Sequence, residues 1–307
     1  MAAVMFYEKP VLLNREAHKA KKIAPSGSFA FAGKANSLYM AGVEFIEACK
    51  EYPIVFTQVG QGKIVPVAML GLREGENLFV GSDGKWSAGY VPAFVRRYPF
   101  VLAELEGQQM GVCIDEGYAG LNEKDGEALF DSKGNNTPFL QNALDFLNRY
   151  QVEYMRTDRF CQRLKDLGLL MEMNAKADLF DGTSFMVNGL MVVDERKLLQ
   201  LTDAQALEVF RSGELSWIYA HLVSLSNLNR LVDKLADSKR ATGTVATSAA
   251  APVPAATQVE TKPAAPAAAE VLSQKAPLPG TNTTQGATKT GASTAAPAAK
   301  ATPKTKA

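Results

Sequence analysis

Two adjacent arginines, Arg96 and Arg97, stand among aromatics and prolines in the stretch AGYVPAFVRRYPF, residues 88–100, shortly after SDGKW. A guanidinium is a planar, permanently charged fork that can grip a carboxylate or a phosphate on two atoms at once. Trp86, Tyr90 and Tyr98 are near enough in sequence to wall such a site. If the stretch is an extended strand, neighbouring side chains point to opposite faces, so one arginine faces the core side and the other solvent. Two roles are open. Trp86, Tyr90, Arg96, Arg97 and Tyr98 form a ligand-binding set, or an arginine stacks on an aromatic ring and pairs with a buried carboxylate to hold the fold. The structural role weighs more, yet no other stretch is a better candidate for a site.

The remaining candidates are weaker. In SWIYAHLVSLSN, His221 and Ser224 lie one helical turn apart. A hydrolase needs a serine activated on a sharp turn, an orienting acid and an oxyanion hole, and no G-x-S-x-G motif occurs. A packed, hydrogen-bonded His221 is the favoured reading. The acids Asp115, Glu116, Glu123, Asp125, Glu127 and Asp131 lie in and beside a glycine-rich segment but lack the EF-hand spacing, so a solvated acidic loop is expected. With two histidines and three dispersed cysteines, no zinc set is expected. There is no Walker loop, no dinucleotide fingerprint and no HExxH, and no cofactor is expected.

The elements that must position these residues can be read from pattern. YPIVFTQ, KIVPVAMLGL, ENLFVGSDGKW, FVLAEL and MGVCID are short β-forming runs separated by turn residues, which predicts an antiparallel meander over residues 52–116. Leu38 to Lys50 is a short helix or a strand followed by a turn. Residues 117–137 read as a long surface loop. Thr137-Pro138 is a helix start, followed by Leu144, Leu147, Tyr150, Tyr154, Cys161 and Leu164 at helical steps and a stop near Gly168. Asn188-Gly189 in SFMVNGLMVVDE predicts a two-residue hairpin turn. Thr202 and Gln205 form a capping box for a further helix that Gly213 ends. A last helix is expected from about Glu214 to Ser238, with an apolar stripe at period near 3.6.

Charge and composition divide the chain of 307 residues. Residues 241–307 hold six lysines against two glutamates, a net of +4, and are otherwise dominated by Ala, Pro, Thr and Ser; the chain total of +1 leaves residues 1–240 at −3. Such a tail cannot bury enough apolar surface to offset chain entropy, so a disordered tail is expected. The expected organisation is an extended basic N-terminal arm over 1–35, an α+β domain over 36–240 and the tail. A body at −3 does not favour nucleic acid, and dilute tail lysines would bind polyanions weakly. The odd, widely spaced cysteines suit a reducing compartment. No secretory signal and no apolar run long enough for a membrane span are seen, so cytoplasmic residence is expected, with leaderless export to the cell surface as the alternative.

The block EYPIVFTQ … VPVAMLGLREGENLFVGSDGKWSAGYVPAFVRRYPFVLA, followed by CID, LFDSKG, LKDLGLL, FMVNGLMVVDERKLLQL and GELSWIYAHLVSLSNLNRL, resembles the bacterial SapC family from about Tyr52 to Leu235. The resemblance implies an association, by name, with a paracrystalline surface layer, and it brings no catalytic residues. The expectation is therefore an α+β fold, an antiparallel sheet followed by helices and a hairpin. The leading function is a binding or assembly protein rather than an enzyme, with an unknown protein partner or a small anionic ligand. The rival is a small-ligand sensor or enzyme whose pocket includes one of the arginines and His221.

Overall fold

A computed structural model describes residues 5–105, 109–178, 182 and 184–242. In chain order the elements are β1 (Pro10–Leu12), β2 (Lys22–Ile23), β3 (Ser37–Tyr39), α1 (Phe45–Ala48), β4 (Ile54–Val59), β5 (Lys63–Met69), α2 (Ala93–Arg96), β6 (Phe100–Leu105), β7 (Gln109–Asp115), β8 (Leu121–Asn122), β9 (Glu127–Ala128), α3 (Pro138–Asp166), β10 (Leu170–Asp178), β11 (Ser184–Val193), α4 (Glu195–Leu198), α5 (Asp203–Arg211), α6 (Glu214–Ser224) and α7 (Asn227–Thr242). The strands form three sheets, ordered β10-β11-β4-β5-β3, β1-β7-β6 and β8-β2-β9, and every pairing is antiparallel. The fold is α+β.

Helix α3 contributes to both apolar cores. The Thr137 hydroxyl caps it by accepting the Leu140 N–H at 3.3 Å, and Pro138 occupies the first turn, where its missing donor costs nothing. Its 29 residues run for about 43 Å at 1.5 Å each. The first half places Leu140 and Leu147 in a small core with Ile23, Phe100, Ile114, Leu129 and Phe130. The second half places Tyr150, Phe160, Cys161 and Leu164 in the main core, against the five-stranded sheet and α6. Phe160 meets Trp217 edge to face at 5.2 Å, and Trp217 packs so closely on Gly42 that a Cβ there would stand 2.3 Å from the indole.

Four expectations are corrected. The meander over 52–116 is broken: β4 and β5 belong to the five-stranded sheet, β6 and β7 to another, and residues 70–99 between them are irregular apart from α2. Five glycines and Pro92 punctuate that segment, and Asn77 fixes it by donating to the Ala32 carbonyl at 2.9 Å and accepting the Phe79 N–H at 2.9 Å. Arg96 and Arg97 therefore sit at the end of a single helical turn, not in a strand. Asn188-Gly189 is not a turn. Leu190 pairs with Met173 and Val187 with Ala175, so two residues oppose one, and Gly189 takes the positive φ of 77° that this bulge requires. The last helix is two helices. Ser224 and Ser226 hydrogen-bond back to the carbonyls of His221 and Val223, and the break lets Asn227 donate to the Cys49 carbonyl at 2.7 Å.

The N-terminal segment lies on the body. β1 pairs with β7 and β2 with β8 and β9, while the fully buried Asp115 carboxylate accepts the N–H groups of Glu8, Lys9 and Gly117 and the Tyr98 hydroxyl. The tail expected to be disordered lies outside the described residues from 243 onward.

Candidate functional site

The two arginines part company at the end of α2. Arg96 is exposed. Its Nε donates to the Val91 carbonyl at 3.0 Å and its Nη2 to the Tyr90 hydroxyl at 3.3 Å, and its guanidinium lies 5.3 Å from the Phe146 ring centre and 5.7 Å from that of Tyr90. Tyr90 in turn donates to Glu44 at 2.8 Å. Glu44 is buried beneath α2 and also accepts the N–H groups of Ala93 at 2.7 Å and Ala41 at 3.0 Å. Burial raises its pKa, and those donors draw it partly back. Arg96, Tyr90 and Glu44 thus form a hydrogen-bonded brace that holds the α2 turn.

Arg97 is 7% exposed and turns inward. Its guanidinium stacks 3.9 Å from the Phe94 ring centre and lies 5.3 Å from that of Tyr150. Its Nε and Nη2 are buried and have no hydrogen-bond partner among the described residues. It makes no salt bridge with a described carboxylate. A buried charge without a counter-ion is costly, which is why buried charges are normally paired.

Arg97 lines a cavity of about 240 Å³ that is also bounded by Tyr39, Phe94, Leu102, Leu147 and Tyr150, with Glu104, Met110, Gln151 and Tyr154 completing it. It lies where the two cores meet, between β3, α2, β6, β7 and the middle of α3. Tyr39 brings a second unpartnered buried donor, its hydroxyl. Burial raises the pKa of that hydroxyl, with Tyr150 the next cause and the Thr157 hydroxyl acting against them. The adjacent Thr157 hydroxyl is already committed, donating to the Glu153 carbonyl at 2.7 Å and accepting the Gly42 N–H at 2.9 Å. Tyr7, whose hydroxyl donates to the Phe100 carbonyl at 2.7 Å, has its pKa raised by burial to about 12, against the opposing charge of Arg97 and hydrogen bonding from its guanidinium. These groups can bind a small anion, with a cationic fork and a phenol as donors and aromatic and aliphatic walls around them.

The other sequence candidates are placed as follows. Arg96 and Tyr98, with Arg97 again, line a neighbouring cavity of about 370 Å³ with Phe139, Asn142 and Phe146. Tyr98 donates to Asp115 at 3.1 Å and stacks on Phe31 at 4.1 Å. Trp86 lines neither cavity; its indole N–H donates to the Tyr52 hydroxyl at 2.8 Å. Tyr90 lines neither and serves the Glu44 brace. His221 is not in the arginine pocket. It is fully buried in the main core, where Nε2 accepts the Val193 N–H at 3.0 Å and Nδ1 donates to the Ile54 carbonyl at 2.7 Å. Burial lowers its pKa to about 4. Ser224 accepts the Ile54 N–H at 2.9 Å, so histidine and serine fasten α6 to β4 rather than forming a catalytic pair. In the acidic loop, Asp131 and Asn122 accept N–H groups of their own turns, at Lys133, Asn135, Lys124 and Asp125.

Sequence reading missed Tyr39 and saw Tyr150 and Tyr154 only as members of an apolar stripe. The available signal was the pair of phenols four residues apart on the buried side of α3, positions where leucine would serve packing alone.

The SapC family model matches residues 13–231, most of the chain, and the protein belongs to the SapC family. No curated protein and no solved structure matches it. No helix among the described residues is long and apolar enough to cross a membrane.

Proposed function

We propose that this SapC-family protein binds a small anionic ligand in the cavity at Arg97. The observation that supports this reading is a buried guanidinium with two unpartnered nitrogens, on a residue that lines a cavity together with Tyr39, whose hydroxyl is also unpartnered. Three orphaned donor atoms on two neighbouring side chains are expensive for a fold and useful for a ligand. The volume of about 240 Å³ lies below the roughly 300–1,000 Å³ of pockets for drug-sized molecules, which points to a small metabolite. The test is a thermal-shift screen of the full chain against small anions. A ligand at about 100 times its Kd adds roughly 2.7 kcal/mol to stability. The expected result is an anion whose stabilisation disappears in Arg97→Met. An anion-insensitive wild type would sink the reading.

An assembly role is the second reading, and large apolar side chains at the surface favour it: Leu207 and Phe210 on α5, Tyr219 and Val223 on α6. A surface-layer-associated protein would use such exposed side chains against other protein subunits. Sedimentation across a concentration series, wild type beside Phe210→Ser, tests this: concentration-dependent oligomers that the substitution abolishes support it, and a single species at every concentration does not.

A further inference from the structure

The two unpartnered nitrogens of Arg97 are Nε and Nη2. They lie on one edge of the guanidinium, with their N–H bonds parallel, and that edge matches the two oxygens of a planar carboxylate. The Phe94 ring lies 3.9 Å from the guanidinium and that of Tyr150 5.3 Å. The Nε–Nη2 edge is left for an in-plane partner, and a carboxylate lies in that plane. The Tyr39 hydroxyl, unpartnered in the same cavity, can donate to one carboxylate oxygen as a third bond.

The rest of the wall argues the charge and the body of the ligand. Among the described residues that line the cavity, Arg97 is the one cation and Glu104 the one acid. A single guanidinium suits a monoanion and disfavours phosphate or sulfate, which carry about two negative charges and three or more acceptor oxygens to satisfy. Phe94, Leu102 and Leu147 give the remainder an apolar surface. We propose that the ligand is a monocarboxylate with a small aromatic or aliphatic body, its carboxylate held on the Nε–Nη2 edge of Arg97 and by the Tyr39 hydroxyl. This rests on the anion-binding reading above and narrows its class. Because the two nitrogens are themselves shielded, the ligand reaches them as cavity side chains make way. Met110, flexible and half-exposed at the wall, is the side chain suited to move.

The test is isothermal titration of the full chain with benzoate, hexanoate, benzamide, inorganic phosphate and sulfate. Benzoate or hexanoate is expected to bind, with benzamide at least 100-fold weaker because it lacks the charge. Arg97→Met should abolish carboxylate binding, and Tyr39→Phe, which removes one oxygen from the cavity wall, should weaken it about 5- to 10-fold. Phosphate or sulfate binding more tightly than either carboxylate, and lost in Arg97→Met, would overturn the monocarboxylate class while leaving the anion site intact. Benzamide binding as well as benzoate would overturn the role of charge. Binding of none of the anions would overturn both proposals. If Arg97→Met fails to fold, the benzoate-to-benzamide ratio on wild type and the Tyr39→Phe variant still decide.

Discussion

His221 and Arg97 are both more than nine-tenths buried, both nitrogen bases on short elements, and both next to aromatic rings, Phe56 at 4.9 Å from the imidazole and Phe94 at 3.9 Å from the guanidinium. They differ in what their nitrogens do. His221 commits both ring nitrogens to backbone groups of two different strands, so the fold is its only customer and it stays neutral. Arg97 lies against the Phe94 ring and leaves Nε and Nη2 unpartnered beside a cavity. The same burial therefore marks a structural residue in one place and, on the proposed reading, a binding residue in the other. What separates them is hydrogen-bond satisfaction, not depth.

That comparison can be broken by substitution and by pH. His221→Ala should show the largest effect, a loss of about 3–5 kcal/mol in denaturant unfolding, since it leaves a buried N–H, a buried carbonyl and a cavity. Acid comes next. The imidazole pKa falls from 6.5 to about 4 on folding, so the unfolded state binds the proton more readily. The stability this confers is complete above about pH 6.5 and is lost as pH falls towards 4, by about 3 kcal/mol in all. The raised pKa of Glu44 acts with the opposite sign, so the signature to measure is the difference between wild type and His221→Gln across that window. Gly42→Ala should cost about 1–3 kcal/mol, because its methyl meets the Trp217 ring. Arg96→Ala, which removes exposed stacking on Tyr90 and Phe146, should cost about 1 kcal/mol or less. Arg97→Met should change the stability of the ligand-free protein least, or raise it, because an apolar chain of similar length replaces an unpaired buried charge. If Arg97→Met instead destabilised as strongly as His221→Ala, the contrast between the two residues would collapse.

Much of this frame was legible in the sequence where the signal is local. Thr137-Pro138 and the Thr202–Gln205 capping box mark helix starts because their chemistry acts within one turn. The SapC resemblance was carried by contiguous blocks, and the family match bears it out. The failures share a cause: the deciding partner is far along the chain. Asn188-Gly189 has the composition of a hairpin turn, and only its register against Met173 and Ala175 makes it a bulge. The arginine pair was visible as chemistry, but alternation along a strand was the wrong geometry for a helical turn. Even so, one arginine is exposed and the other buried, because a turn of helix also separates adjacent side chains. The site needed Tyr39 from β3 and Tyr150 from α3, residues that no spacing rule joins to position 97.

The most direct measurement is the ¹H–¹⁵N signal of the Arg97 Nε–H, assigned by its disappearance in Arg97→Lys, during titration of the full chain with benzoate. The account predicts that this resonance shifts strongly and its exchange with water slows as the carboxylate engages the Nε–Nη2 edge, while the Arg96 signal hardly moves. An Arg97 signal unchanged at saturating benzoate, or a response confined to Arg96, would contradict it.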